Sequence, residues 1–138
     1  MKTILRNVAA VLIGLVIGGI VNMSLVTAGP HVFPLPAGID VRDPNSLAAN
    51  AGLLEPRHFV FPFLAHALGT LVGALVAHVV GGSRREVLAY IIGGLNLAGG
   101  IAACFMIPAP VWFIALDLLV AYLPMAWLAA KVGRKLRA

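Results

Sequence analysis

The sequence predicts an all-α fold that crosses a lipid bilayer four times, and three observations carry that prediction. Of the 138 residues, 61% are hydrophobic and only 11% are charged, whereas a soluble domain is about half apolar and about a quarter charged. The apolar residues gather into four stretches, each long enough to cross a hydrocarbon core of about 30 Å as a helix. The basic residues stand at the ends of these stretches rather than inside them. With a mean hydropathy of +1.00, the chain has too few charges to cover its own surface in water, so its expected solvent is lipid. Backbone N–H and C=O groups must pair internally in lipid, which selects helices over open strands.

The first span is read as Val8–Val26, the second as Phe59–Val80, the third as Val87–Ile107 and the fourth as Val111–Ala130. None contains Lys, Arg or Glu, and only the fourth contains Asp. Residues 1–138 thus form one transmembrane domain, whose sizeable polar part is the 27–58 loop. Lys2, Arg6 and the small residues after Val26 resemble a cleavable secretory signal. The stretch is long for one, however, and it carries a Gly14/Gly18 packing motif, so the first helix is expected to be retained.

Orientation follows from the basic residues. Lys2, Arg6, Arg84, Arg85, Lys131, Arg134, Lys135 and Arg137 fall on one side, and only Arg42 and Arg57 on the other. The positive-inside rule then places both termini in the cytoplasm and the 27–58 loop outside it. The chain resembles the small multi-pass proteins of bacterial inner membranes, and that is its expected location. Its net charge of +5 is spent on these anchors, so no nucleic-acid partner is expected. Within the loop, Pro30, Pro34 and Pro36 predict an extended first half. Asp43-Pro44 then reads as an N-cap with proline at the first helical position. The short helix it starts is expected to end near Ala51, with Gly52 as its C-terminal cap.

Candidate functional residues are the polar ones inside the spans. Asn22, His66, Asn96 and Asp117 occur one per helix, each on a face of small residues. Asn22 shares its face with Gly14 and Gly18, and His66 shares one with Gly69, Thr70 and Gly73. Asn96 is flanked by Gly93, Gly99 and Gly100. Small residues mark close helix approaches in membranes, so these faces are expected to point into the bundle. An Asp in mid-membrane costs about 2.5–3.5 kcal/mol on insertion scales and needs a partner. His66, at matching depth, is that partner, with Asn22, Asn96 and Thr70 in support. Pro124 removes the hydrogen bond to the Val120 carbonyl, and a hinge is expected there.

Two readings of this cluster stay open: interhelical hydrogen bonds that only fix the packing, or a substrate, ion or proton site. No His pair has the i,i+4 spacing of a helical metal site, the single Cys104 forms no CxxC motif, and no phosphate loop or nucleophile elbow occurs. No metal and no cofactor are therefore expected. The leading functional expectation is a small proton- or cation-linked transporter or channel-like protein, acting alone or as a homodimer. The alternative is an accessory or scaffold subunit of a membrane complex. A membrane-embedded enzyme comes third, because an Asp and a His stand without an evident nucleophile.

Overall fold

The computed structural model describes residues 1–137, which form helices and no strand. The helices are α1 (Lys2–Val32), α2 (Pro44–Ala49), α3 (Val60–Val80), α4 (Arg85–Met106), α5 (Val111–Val120) and α6 (Leu123–Leu136). Four spans are long and apolar enough to cross a membrane: α1, α3 with the short 3₁₀ turn Pro56–Phe59 before it, α4, and α5 continued by α6. The expected four-helix membrane architecture is therefore present. One end of the bundle carries both termini and the α3–α4 turn and is called the basic end here. The other carries the segment between α1 and α3 and is called the loop end.

α3 lies at the centre and packs on α1, α4 and α6. Its seam with α1 is the most extensive among the described residues. A Cβ placed on Gly18 would stand 2.5 Å from the Gly69 carbonyl oxygen, and one on Gly14 would stand 2.5 Å from that of Gly73. Backbones can approach this closely only where both helices offer glycine. In lipid such packing replaces the hydrophobic drive that assembles soluble bundles. The same logic explains the core near the basic end, where Ala10, Ala74, Ala77, Ala89, Ala126 and Ala129 surround Ile92. Ile92 and Thr70 are the largest fully buried side chains. The bulky residues Leu12, Val16, Ile20, Phe105 and Leu119 instead line the outer faces, where lipid tails meet them.

Several boundaries differ from the sequence expectation. α1 has 31 residues, about 46 Å of helix at about 1.5 Å per residue, and continues through Pro30 to Val32. The extended segment therefore begins later than residue 27. Tertiary contact holds the extra turn: Gly29 lies against Phe61, and Phe33 meets Phe61 edge-on with ring centroids 6.1 Å apart. α2 starts as expected, with the Asp43 side chain accepting from the Asn45 N–H at 3.0 Å. It ends at Ala49 and passes into a 3₁₀ turn over Ala51–Leu53. Gly52 is thus no left-handed cap, and among the described residues the only positive-φ glycine is Gly38.

The fourth span is interrupted rather than bent. Ala121 N–H still bonds the Asp117 carbonyl at 2.9 Å, and the next rung is Ala126 N–H to the Tyr122 carbonyl at 2.9 Å. Pro124 sits just inside α6, at a position where its missing N–H is tolerated. The break therefore falls at Ala121–Tyr122, immediately before the proline.

At the basic end the α3–α4 turn is latched to its neighbours. Asn7 Oδ1 accepts from the Gly82 and Ser83 N–H groups at 2.9 and 3.2 Å. Three arginines then satisfy the last two carbonyls of α3 and that of its C-cap Gly81. Arg137 donates to Val79 at 2.8 Å, Arg6 to Val80 at 2.7 Å and Arg85 to Gly81 at 3.0 Å, which complements the negative end of the helix dipole. Arg84 follows in the left-handed region (φ 45°, ψ 41°), a conformation that costs a side-chain-bearing residue about 1–2 kcal/mol.

Candidate functional site

Asp117 lies in the last turns of α5, 5% exposed, about 9 Å along the helix from Val111 at about 1.5 Å per residue. His66, a third of the way along α3, meets it. His66 Nδ1 stands 2.9 Å from Asp117 Oδ1 and 3.0 Å from Oδ2, so the ring N–H donates to the carboxylate. Tyr122 adds a second donor, its hydroxyl giving a hydrogen bond to Asp117 Oδ2 at 2.9 Å. The Tyr122 ring also stacks on the His66 imidazole, with centroids 5.8 Å apart and planes at 28°. The carboxylate thus receives hydrogen bonds from two directions, which repays part of the cost of burying it.

Tyr122 is the site residue that sequence reasoning missed. In an unbroken helix a residue five positions on from Asp117 points about 140° away around the axis, so spacing gives no sign of contact. The interruption at Ala121–Tyr122 turns the Tyr122 side chain back toward the carboxylate. α4 makes room for it: a Cβ on Gly100 would stand 2.5 Å from the Tyr122 hydroxyl oxygen. Gly93 serves the same interface lower down, where a Cβ would lie 2.6 Å from that of Ala126.

The other candidates are placed nearby but separately. Asn96 Nδ2 donates to Thr70 Oγ1 at 2.9 Å, a bond between α4 and α3 that does not include the carboxylate. Asn22 makes no side-chain hydrogen bond among the described residues; its Cβ lies where α1 presses on Gly69. Gly99, expected at a helix contact, is exposed and has no atom within 4 Å of a Cβ position. α4 meets α5 and α6 through the Gly93/Gly100 face, and Gly99 lies about 100° around the helix from Gly100.

Two cavities converge on His66. One, of about 350 Å³, opens at the loop end between α1, α3, α4 and α5. Its walls are mainly apolar, including Met23, Phe61, Ile107 and Ile114, and its floor carries His66 and Asp117. Leu35, Leu47 and Leu54 of the loop segment reach over it. The second, of about 240 Å³, lies between α1, α3 and α4 and is lined by Asn22, His66, Thr70, Asn96 and Tyr122 among others. Beyond it, toward the basic end, the alanine core closes the bundle.

His58 fastens the loop segment over the first cavity. Its Nδ1 accepts from the Glu55 N–H at 2.9 Å and its Nε2 faces the Pro34 carbonyl at 3.1 Å. An acceptor at Nδ1 and a donor at Nε2 define the neutral tautomer protonated on Nε2. The ring thereby ties the start of the loop segment to the entry of α3.

Chemically, the His66–Asp117 arrangement holds one imidazole nitrogen on a buried carboxylate and leaves the other without a protein partner among the described residues. Such an arrangement lets the carboxylate fix the ring while Nε2 stays available to a solute or to proton exchange. Compared with known proteins, the chain matches no family model, and no curated protein and no solved structure matches it either.

Proposed function

We propose that this chain is a small transporter-like protein of a bacterial-type inner membrane, with its termini in the cytoplasm and the loop end outside. It would bind a small amphipathic solute from the loop side and exchange a proton at His66–Asp117. The orientation is supported by the basic residues gathered at the terminal end. The observation that carries the functional reading is the meeting of two cavities at an ionisable pair in mid-span. Ionisable groups at that depth commonly mark solute or proton pathways. The apolar walls of the loop-end cavity favour a solute with a hydrocarbon part over a bare hydrated cation, and its volume lies in the range of small-molecule sites.

The interrupted fourth helix adds support. Broken spans place helix ends and free backbone groups beside buried sites in many secondary transporters. With the alanine core closed, passage to the basic end requires α6 to move relative to α5 about Ala121–Tyr122, or a second copy of the chain to complete the path. The test is proton flux in proteoliposomes under an imposed pH gradient, followed by an internal pH dye. Wild type is expected to conduct with a rate that depends on pH, and Asp117→Asn is expected to lose that dependence while remaining folded. Equal traces from both proteins, at the level of empty liposomes, end this reading.

A second reading, an accessory subunit or homodimer, is favoured by one observation. Gly94, Ala98, Gly99 and Ala102 form an exposed small-residue face on α4. Such a face suits another helix better than lipid tails. Cross-linking in native membranes through cysteines placed at Ala98 would then trap a partner where flux is absent.

A further inference from the structure

Away from His66, the most strongly charged feature is an open groove of about 630 Å³ at the basic end. It lies between the α3–α4 turn, the start of α4 and the end of α6. Arg84, Arg85, Arg134 and Arg137 line it, and its one acid, Glu86, is held by Arg134. Arg137 spends one N–H on the Val79 carbonyl of α3 and Arg85 one on that of its C-cap Gly81, leaving most of each guanidinium for another acceptor. The Arg84 side chain has no hydrogen bond or ion pair to any described residue, yet the residue holds a left-handed backbone conformation at the start of α4. No side chain caps that helix start. The first hydrogen bond of α4 is Leu88 N–H to the Arg84 carbonyl, so the N–H groups of Arg85, Glu86 and Val87 lack a described acceptor.

A second, independent feature marks the same place. His78 lines the groove, is 3% exposed, and has a buried Nδ1 without a hydrogen-bond partner among the described residues. Gly133 on α6 lacks the Cβ that would collide with this ring. A buried polar atom left unpaired costs stability, and the ring that carries it lines the same groove as Arg84, Arg85 and Glu86 at the uncapped start of α4. All of these suit an anion with several acceptor oxygens.

We propose that this groove binds a phosphate group, carried either by the headgroup of an anionic lipid or by free inorganic phosphate. Arg84 and the amides that start α4 would hold the phosphate oxygens, with Arg85 and Arg137 flanking. The groove opens where headgroups of the adjoining leaflet would lie, and basic pockets between membrane helices take anionic headgroups for this reason. The site is separate from His66 and does not depend on the transport reading.

The experiment uses the full chain in nanodiscs of phosphatidylcholine with and without phosphatidylglycerol. Co-purified lipid is measured by mass spectrometry, and inorganic phosphate is titrated by calorimetry in the phosphatidylcholine discs. The variant is Arg84→Asn, since asparagine tolerates the left-handed conformation and the Arg84 side chain makes no hydrogen bond or ion pair to a described residue. Arg84→Lys restores the charge, and Lys135→Gln removes a charge outside the groove. Enrichment of phosphatidylglycerol, weakened about five- to tenfold by Arg84→Asn and largely kept in Arg84→Lys, supports a lipid headgroup. Phosphate binding that Arg84→Asn weakens, without lipid enrichment, supports the free anion. The proposal is overturned if neither ligand binds, if Arg84→Asn binds as wild type does, or if Lys135→Gln weakens binding as much as Arg84→Asn.

Discussion

Replacing Gly18 by alanine tests how this bundle is held together. The added Cβ would stand 2.5 Å from the Gly69 carbonyl oxygen and 3.2 Å from the Gly73 Cα. Carbon and carbonyl oxygen settle at about 3.3 Å or more, so α1 and α3 must separate locally by about 0.8 Å. No side chain can yield, because both obstacles are backbone. A gap of that size forfeits a quarter to a half of the dispersion energy across it. For a seam of about 20 heavy-atom pairs at 0.1–0.2 kcal/mol each, the loss is close to 1 kcal/mol. Residual strain extends the expected destabilisation to about 1–3 kcal/mol. Gly19→Ala is the matched control. It lies on the same helix, has nothing within 4 Å of its Cβ position, and gains the same helix propensity, up to about 1 kcal/mol. Unfolding in mild detergent by titration with dodecyl sulfate, followed by circular dichroism, gives the difference between the two. Equal stability of Gly18→Ala and Gly19→Ala would refute the packing argument.

Two further outcomes follow from the site and its cover. Tyr122→Phe removes one of the donors to the Asp117 carboxylate and should cost about 1–2 kcal/mol. In a double-mutant cycle with Asp117→Asn the losses should fall short of additivity, and strictly additive values would mean that the hydroxyl and the carboxylate do not interact. His58→Ala removes the link between the Glu55 N–H and the Pro34 carbonyl. Amide hydrogen exchange over residues 34–55 should then quicken, while exchange in the α1–α3 seam stays as in wild type; unchanged exchange in the loop segment would show that other contacts hold it.

Sequence reasoning reached some of this structure and not the rest, and the division has a physical cause. Hydropathy is a local property, and lipid demands that each span satisfy its own backbone. The four spans, their all-helical character and the Asp43-Pro44 start of α2 could therefore be read residue by residue. The pairing of His66 with Asp117 was legible as well, because one helical rise per residue sets the depth of each and a buried carboxylate needs a donor. Which side chains complete that pair was decided elsewhere. The rotation of each helix about its axis separated Thr70 and Asn96 from the carboxylate, left the Asn22 side chain without a hydrogen-bond partner among the described residues and turned Gly99 outward. The contact of Gly29 with Phe61 carried α1 past the proline that should have ended it. The break at Ala121–Tyr122 brought in Tyr122 from a spacing that no continuous helix would use. Rotation, register and interruption are relations between helices, and only their packing in three dimensions selects among them.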